Sequence, residues 1–165
     1  MSTIIPISMR IAVIGGSRID EGTYERAREV GRLLGERGHT IVCGGLSGVM
    51  EAVCKGGREA GAETIGILPG EDRTSANEWV STPIATGLGN ARNVLVVRNG
   101  DAVIAIDGGA GTLSEIGHAL DFGVAVAGLD THEIALDGFE VVGTPEEAIE
   151  RVETVTRSEE RFPDT

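Results

Sequence analysis

The run Asp107-Gly108-Gly109-Ala110-Gly111-Thr112 has the composition of an anion cradle. A phosphate needs backbone N–H groups at close range, and glycine lets the main chain come that near. Gly108, Gly109 and Gly111 supply this, a helix predicted to follow presents the positive end of its dipole, and Thr112 adds a hydroxyl donor. Two more glycine-rich runs have the same character, Gly15-Gly16-Ser17 and Gly44-Gly45-Leu46-Ser47-Gly48. Ser17 and Arg18 are candidate phosphate or base contacts, and equally candidate turn residues ahead of the next helix. His118 lies one turn beyond Glu115 on the predicted helix, with Asp121 after it. It faces either the site or a packing partner.

The elements around these runs alternate. Residues 10–16 form a short β-branched stretch bounded by glycine, as in a buried parallel strand. A helix follows, capped by Asp20 or Thr23, with Tyr24, Ala27, Val30, Leu33 and Leu34 on one face and Gly38 at its end. The spacing predicts strands over 40–43, 63–68, 82–85, 101–106, 124–129 and 140–142, and helices over 47–60, 90–99 and 111–122. Pro145 opens a last amphipathic helix. Residues 71–80 are polar, aperiodic and contain Trp79, which predicts a surface loop. The pattern is that of a three-layer α/β/α Rossmann-like domain, a mostly parallel sheet with helices on both faces. The whole chain, 1–165, reads as one domain with a short extension at 1–8 and a flexible tail at 155–165. In such sheets ligands bind beyond the carboxyl ends of strands where the strand order reverses. All three glycine-rich runs follow strands, so they should converge on one crevice.

Composition excludes several classes. Asp and Glu number 26 against 14 Lys and Arg, a formal charge of -12, which disfavours nucleic acid as a partner. Lys55 is the only lysine, and with the acidic surface this fits a salt-loving source. Cys43 and Cys54 lack CxxC spacing and His39, His118 and His132 are isolated, so no metal site is expected. The thiols read as small buried side chains of a cytoplasmic protein. The first eight residues lack the features of a signal peptide, Met9 is an alternative start, and no apolar run has membrane-spanning length. A dinucleotide fingerprint is missing too. The turn after the first strand lacks the third glycine, and Cys43-Gly44 stands where its acidic residue belongs. Lys55-Gly56 is no Walker loop.

Asp107-Gly-Gly-Ala-Gly-Thr-Leu-Ser-Glu115 resembles the PGGxGTxxE signature of the LOG-like proteins, formerly labelled lysine decarboxylases, and of the related molybdenum cofactor carrier proteins. Arg92 matches the arginine of their R-K-x-x-M segment, Arg98 and Asp101 match an R-x-x-D, and the likeness runs from about Arg10 to Leu129. For LOG enzymes the resemblance implies hydrolysis of the N-glycosidic bond of a nucleoside 5′-monophosphate, with Arg92 and Glu115 as the catalytic pair. A carboxylate stabilises the positive charge that builds on the ribose. Arg92 has two roles open to it, holding the phosphate or orienting Glu115 through a bidentate pair. For the carriers the resemblance implies a non-catalytic site for molybdenum cofactor or a related phosphorylated ligand. It also implies a homo-oligomer, a dimer or tetramer. Two departures weaken phosphate attraction and lean toward the carrier branch: Asp107 stands in place of proline and Asn93 in place of lysine. A pyridoxal enzyme is not expected, because Lys55 has no evident partner.

Overall fold

The computed structural model describes residues 7–158. Its seven strands are β1 (Arg10–Gly15), β2 (Thr40–Cys43), β3 (Thr64–Leu68), β4 (Thr82–Ala85), β5 (Ala102–Ile106), β6 (Val126–Leu129) and β7 (Phe139–Val142). They form one sheet in the order β4-β3-β2-β1-β5-β6-β7, every neighbouring pair parallel. The helices are α1 (Glu21–Glu36), α2 (Val49–Glu59), α3 (Asn93–Arg98), α4 (Ala110–Asp121) and α5 (Pro145–Ser158).

Strand alternation divides the core into two layers. On one face Ile11 and Val13 of β1 and Ile104 and Ile106 of β5 pack under Ala27, Val30 and Leu34 of α1, Val53 of α2 and Val152 of α5. On the other, Ala12 and Ile14 with Val103 and Ala105 meet Val96 and Val97 of α3 and Ile116 and Ala119 of α4. Apart from the exposed Arg10 at the start of β1, both central strands are apolar because both of their faces are covered. The order reverses between β1 and β5. The turn after β1 and the loop after β5 therefore diverge there and leave a crevice.

Local differences from the sequence expectation have physical causes. The predicted helix over 90–99 is split: a 3₁₀ turn at Gly89–Arg92 precedes a six-residue α3. The segment 71–80 holds a 3₁₀ turn at Arg73–Ser75, and Trp79 and Val80 pack on Cys43, Met50 and Cys54. α5 continues past 154 to Ser158, because Val155 is still buried. Residues 1–6 of the expected extension and 159–165 of the expected tail lie outside the described residues.

At the end of the sheet opposite the crevice, Glu153 of α5 is buried and accepts hydrogen bonds from Arg37 and from His39 Nε2, the latter at 2.9 Å. His39 Nδ1 accepts the Met9 N–H at 3.1 Å. Burial pushes the Glu153 carboxyl up, but the Arg37 and His39 hydrogen bonds outweigh it and hold the group below its ordinary 4.5. Its stabilising contribution is thus present above that value and is lost as pH falls through the lowered one. Glu153→Gln is expected to cost about 1–2 kcal/mol at pH 7. Thermal melts should show that gap closing below pH 4.5.

Candidate functional site

The crevice is a cavity of about 290 Å³, at the small end of ligand pockets. It is walled by the ends of β1 and β2, by the 3₁₀ turn ahead of α3, and by the first turns of α4. Gly15, Gly16, Ser17, Gly44, Arg92, Gly109, Gly111, Thr112 and Glu115 all line it. The three runs thus meet as their positions predict. Gly45, Gly48 and Gly108 do not line it. A Cβ at Gly48 would stand 2.3 Å from the Gly16 carbonyl, and one at Gly45 2.8 Å from a Leu68 methyl. These glycines let the turn after β2 nest against its neighbours. The tie is completed by Val49 N–H donating to Gly16 O at 3.0 Å and Ser47 Oγ donating to Ser17 O at 3.1 Å.

α4 begins on the cavity with Gly109 at its N-cap, so no side chain satisfies its first N–H groups. Gly109 and Gly111 are glycine for neither packing nor fold: a Cβ built on either meets nothing within 4 Å. Both residues line the cavity. Two turns of α4 bring Thr112 and Glu115 onto the inner wall, both buried. Glu115 has no hydrogen-bond or ion-pair partner among the described residues, and burial pushes its carboxyl up from 4.5 to about 7, against the pull of Arg92.

Arg92 is 7% exposed, and its Nε donates to the Ile67 carbonyl of β3 at 3.0 Å. Its guanidinium lies over Gly44, where a Cβ would come within 2.9 Å of Nη2. Glycine at 44 makes room for the cation. The bidentate Arg92–Glu115 pair is not formed. Arg92 is anchored on β3, and the two charges act across the cavity rather than in contact.

Other sequence candidates fall elsewhere. His118 is exposed and stacks on Phe122 with ring centroids 6.2 Å apart, and Asp121 is exposed at the end of α4. Arg18 is exposed and does not line the cavity. Lys55 sits over the Trp79 ring, 5.5 Å from its centroid. The two thiols are buried, with Sγ atoms 3.5 Å apart. Among the described residues no cluster of three metal-ligating side chains occurs, and no helix is long and apolar enough to cross a membrane.

Six lining residues were not candidates from the sequence: Val13, Ile14, Leu46, Met50, Asn90 and Asn93, the last singled out there only as a departure from the family's lysine. Asn90 and Asn93 lie two residues before and one after Arg92, and that closeness in sequence was the available signal. The Asp107 position also differs from its proline counterpart. Its φ of +54° is closed to proline, whose ring holds φ near about −65°. Its carboxylate lies beside Gly16, where a Cβ would come within 2.8 Å of Oδ2.

Comparison with known proteins agrees with this geometry. An uncharacterized protein of Archaeoglobus fulgidus is 45% identical over 141 residues, covering 86% of this chain and 92% of that one. The cytokinin riboside 5′-monophosphate phosphoribohydrolase LOG of Oryza sativa subsp. japonica is 36% identical over 112 residues, 65% of this chain but only 46% of the rice protein. Among solved structures, the molybdenum cofactor binding protein from Rippkaea orientalis superimposes with a TM-score of 0.85 at 31% identity, covering 90% of this chain and 98% of that one. The molybdenum cofactor carrier protein of Chlamydomonas reinhardtii also gives 0.85, at 30% identity, covering 92% and 99%. The model of the SLOG cluster4 family matches residues 8–159, and the chain belongs to that LOG-like family, whose solved relatives include molybdenum cofactor carriers.

Proposed function

We propose that the cavity binds a phosphorylated, nucleotide-like small molecule, with its phosphate on the open N-terminus of α4 and against Arg92, and that Glu115 hydrolyses the N-glycosidic bond of a nucleoside 5′-monophosphate. The observation that carries this is the buried, unpartnered Glu115 carboxyl on the same cavity wall as the uncapped start of α4. In the reaction the C1′–N bond breaks as water oxygen bonds to C1′. One water proton passes through Glu115 to the departing base, leaving ribose 5-phosphate. The carboxylate stabilises the cationic sugar on the way.

A second reading is favoured by specific observations: the same cavity holds a phosphorylated cofactor such as molybdenum cofactor without chemistry on it. The carrier structures are matched over nearly their whole length, whereas the chain spans about half of the rice enzyme. Arg92 and Glu115 are not paired, and Asp107 gives the loop a turn that proline could not take.

Incubation of the protein with AMP and other monophosphates, followed by chromatography of the free base, separates the two. Base release supports the hydrolase. Binding without release at any salt concentration leaves the carrier reading. Failure to bind any phosphorylated compound overturns both. An assembly of two or four copies in the cytoplasm belongs to the same reading, and light scattering tests the assembly.

A further inference from the structure

The glycine-rich loop is also tied from outside itself. Among the described residues, two that are not glycine have positive φ: Asp107 at +54° and Asp130 at +53°. They stand side by side, directly beyond the paired strand ends Ile106 and Leu129 of β5 and β6. A left-handed residue other than glycine is uncommon and persists only where its surroundings hold it.

The connection from β6 to β7 supplies that hold. Thr131 Oγ1 donates to the Asp107 carbonyl at 2.6 Å, while the Thr131 methyl fits over Gly128, where a Cβ would meet it at 2.9 Å. His132 Nε2 lies 3.0 Å from the Gly109 carbonyl, and since a carbonyl only accepts, the ring nitrogen is the donor. That same carbonyl accepts the Leu113 N–H at 3.1 Å, the first hydrogen bond of α4. A side chain outside the loop therefore grips the atom from which α4 starts. Thr112 and Glu115 follow on that helix.

We infer that Thr131 and His132 are positioning residues, which clamp the Gly108–Thr112 loop in its ligand-binding shape from the β6–β7 connection. The inference rests on the reading of this loop as the phosphate site. Three glycines in five residues make the free loop costly to order, so a ligand binding an unclamped loop must supply that ordering itself. Affinity should fall while the fold stays intact.

The test uses Thr131→Val, which keeps the methyl and removes the hydroxyl, His132→Ala, and the two combined. Titration calorimetry with AMP and, separately, with inorganic phosphate is expected to show binding about fivefold weaker for each single variant, the size of one neutral hydrogen bond. The double variant should be roughly twentyfold weaker for both probes if the two ties add. Thr131→Ser and His132→Gln, which restore a donor, should recover most of the loss. Amide exchange should speed up at 108–112 and remain unchanged in β5 and β6. Wild-type affinity in the double variant, or a loss that neither donor rescues, overturns the clamp. If the wild type binds neither AMP nor phosphate, the phosphate-site reading fails instead. The exchange experiment then judges the clamp alone, and unchanged exchange at 108–112 overturns it.

Discussion

Glu115→Gln is expected to lower the rate of base release from AMP by about 10²- to 10⁴-fold while AMP affinity stays within a fewfold of the wild type. The amide keeps the volume of the carboxyl on the cavity wall, so the ligand still fits. What it removes is the negative charge facing the ribose as the glycosidic bond breaks. Because burial raises this carboxyl to about 7, wild-type kcat/KM should climb as pH rises through about 7 and level off above it. A bound phosphate, itself an anion, pushes the inflection in kcat higher still. A variant that releases base at the wild-type rate would remove Glu115 from the mechanism.

The same substitution has a second consequence that does not depend on catalysis. A carboxyl raised from 4.5 to about 7 in the folded chain keeps its proton longer than in the unfolded chain. It is therefore neutral and harmless below 4.5, increasingly unfavourable up to 7, and a full burden above. The burden is on the order of 3 kcal/mol. Glu115→Gln should accordingly melt several degrees higher than the wild type at pH 8 and at nearly the same temperature at pH 4. A residue that costs stability at working pH and has no partner is placed for a ligand rather than for the fold. Equal melting at pH 8 would contradict that placement whichever of the two functions holds.

Much of this arrangement was legible in the residue order. The strands 101–106 and 10–16 are runs of aliphatic residues with glycine at their ends, and the parallel sheet with its crevice follows from their alternation with helices. Tertiary approach was not legible. Gly31 and Gly56 lie inside helices, and their role appears only where α1 crosses α2: a Cβ at Gly56 would stand 1.9 Å from the Arg28 carbonyl. The Asn77 side chain donates to Leu46 O at 2.8 Å and ties the 71–80 segment to the turn after β2, a contact between residues 31 apart that no local pattern encodes. His132 looked isolated because its partner, the Gly109 carbonyl, belongs to the backbone and leaves no side-chain signature. Which of the two roles open to Arg92 fits the geometry was not legible for a similar reason. The hydrogen bond from Arg92 Nε to the Ile67 carbonyl, which leaves the bidentate pair with Glu115 unformed, is to a backbone atom 25 residues away.

The glycines of the Asp107–Thr112 run should separate by experiment into one that serves the fold and two that serve the ligand. Gly108 has a φ of +103°, and a Cβ there would stand 2.2 Å from Thr112 Oγ1, so alanine at 108 should destabilise the protein without any ligand present. Gly111 is different. It lies in the first turn of α4 with open space around its Cα, and alanine is the better helix former by up to about 1 kcal/mol. Gly111→Ala is therefore expected to raise the melting temperature slightly. Yet Gly111 lines the cavity beside the free N–H groups of α4, and on the proposed reading the added methyl crowds the phosphate oxygens there. AMP binding should weaken at least about tenfold, the cost of losing one charge-assisted hydrogen bond. Gly109→Ala should weaken binding likewise. Opposite signs for stability and affinity in a single substitution cannot arise from a damaged fold. Calorimetry and thermal melts on Gly111→Ala thus decide the function of the loop: unchanged AMP affinity would mean that the cradle is not where the phosphate binds.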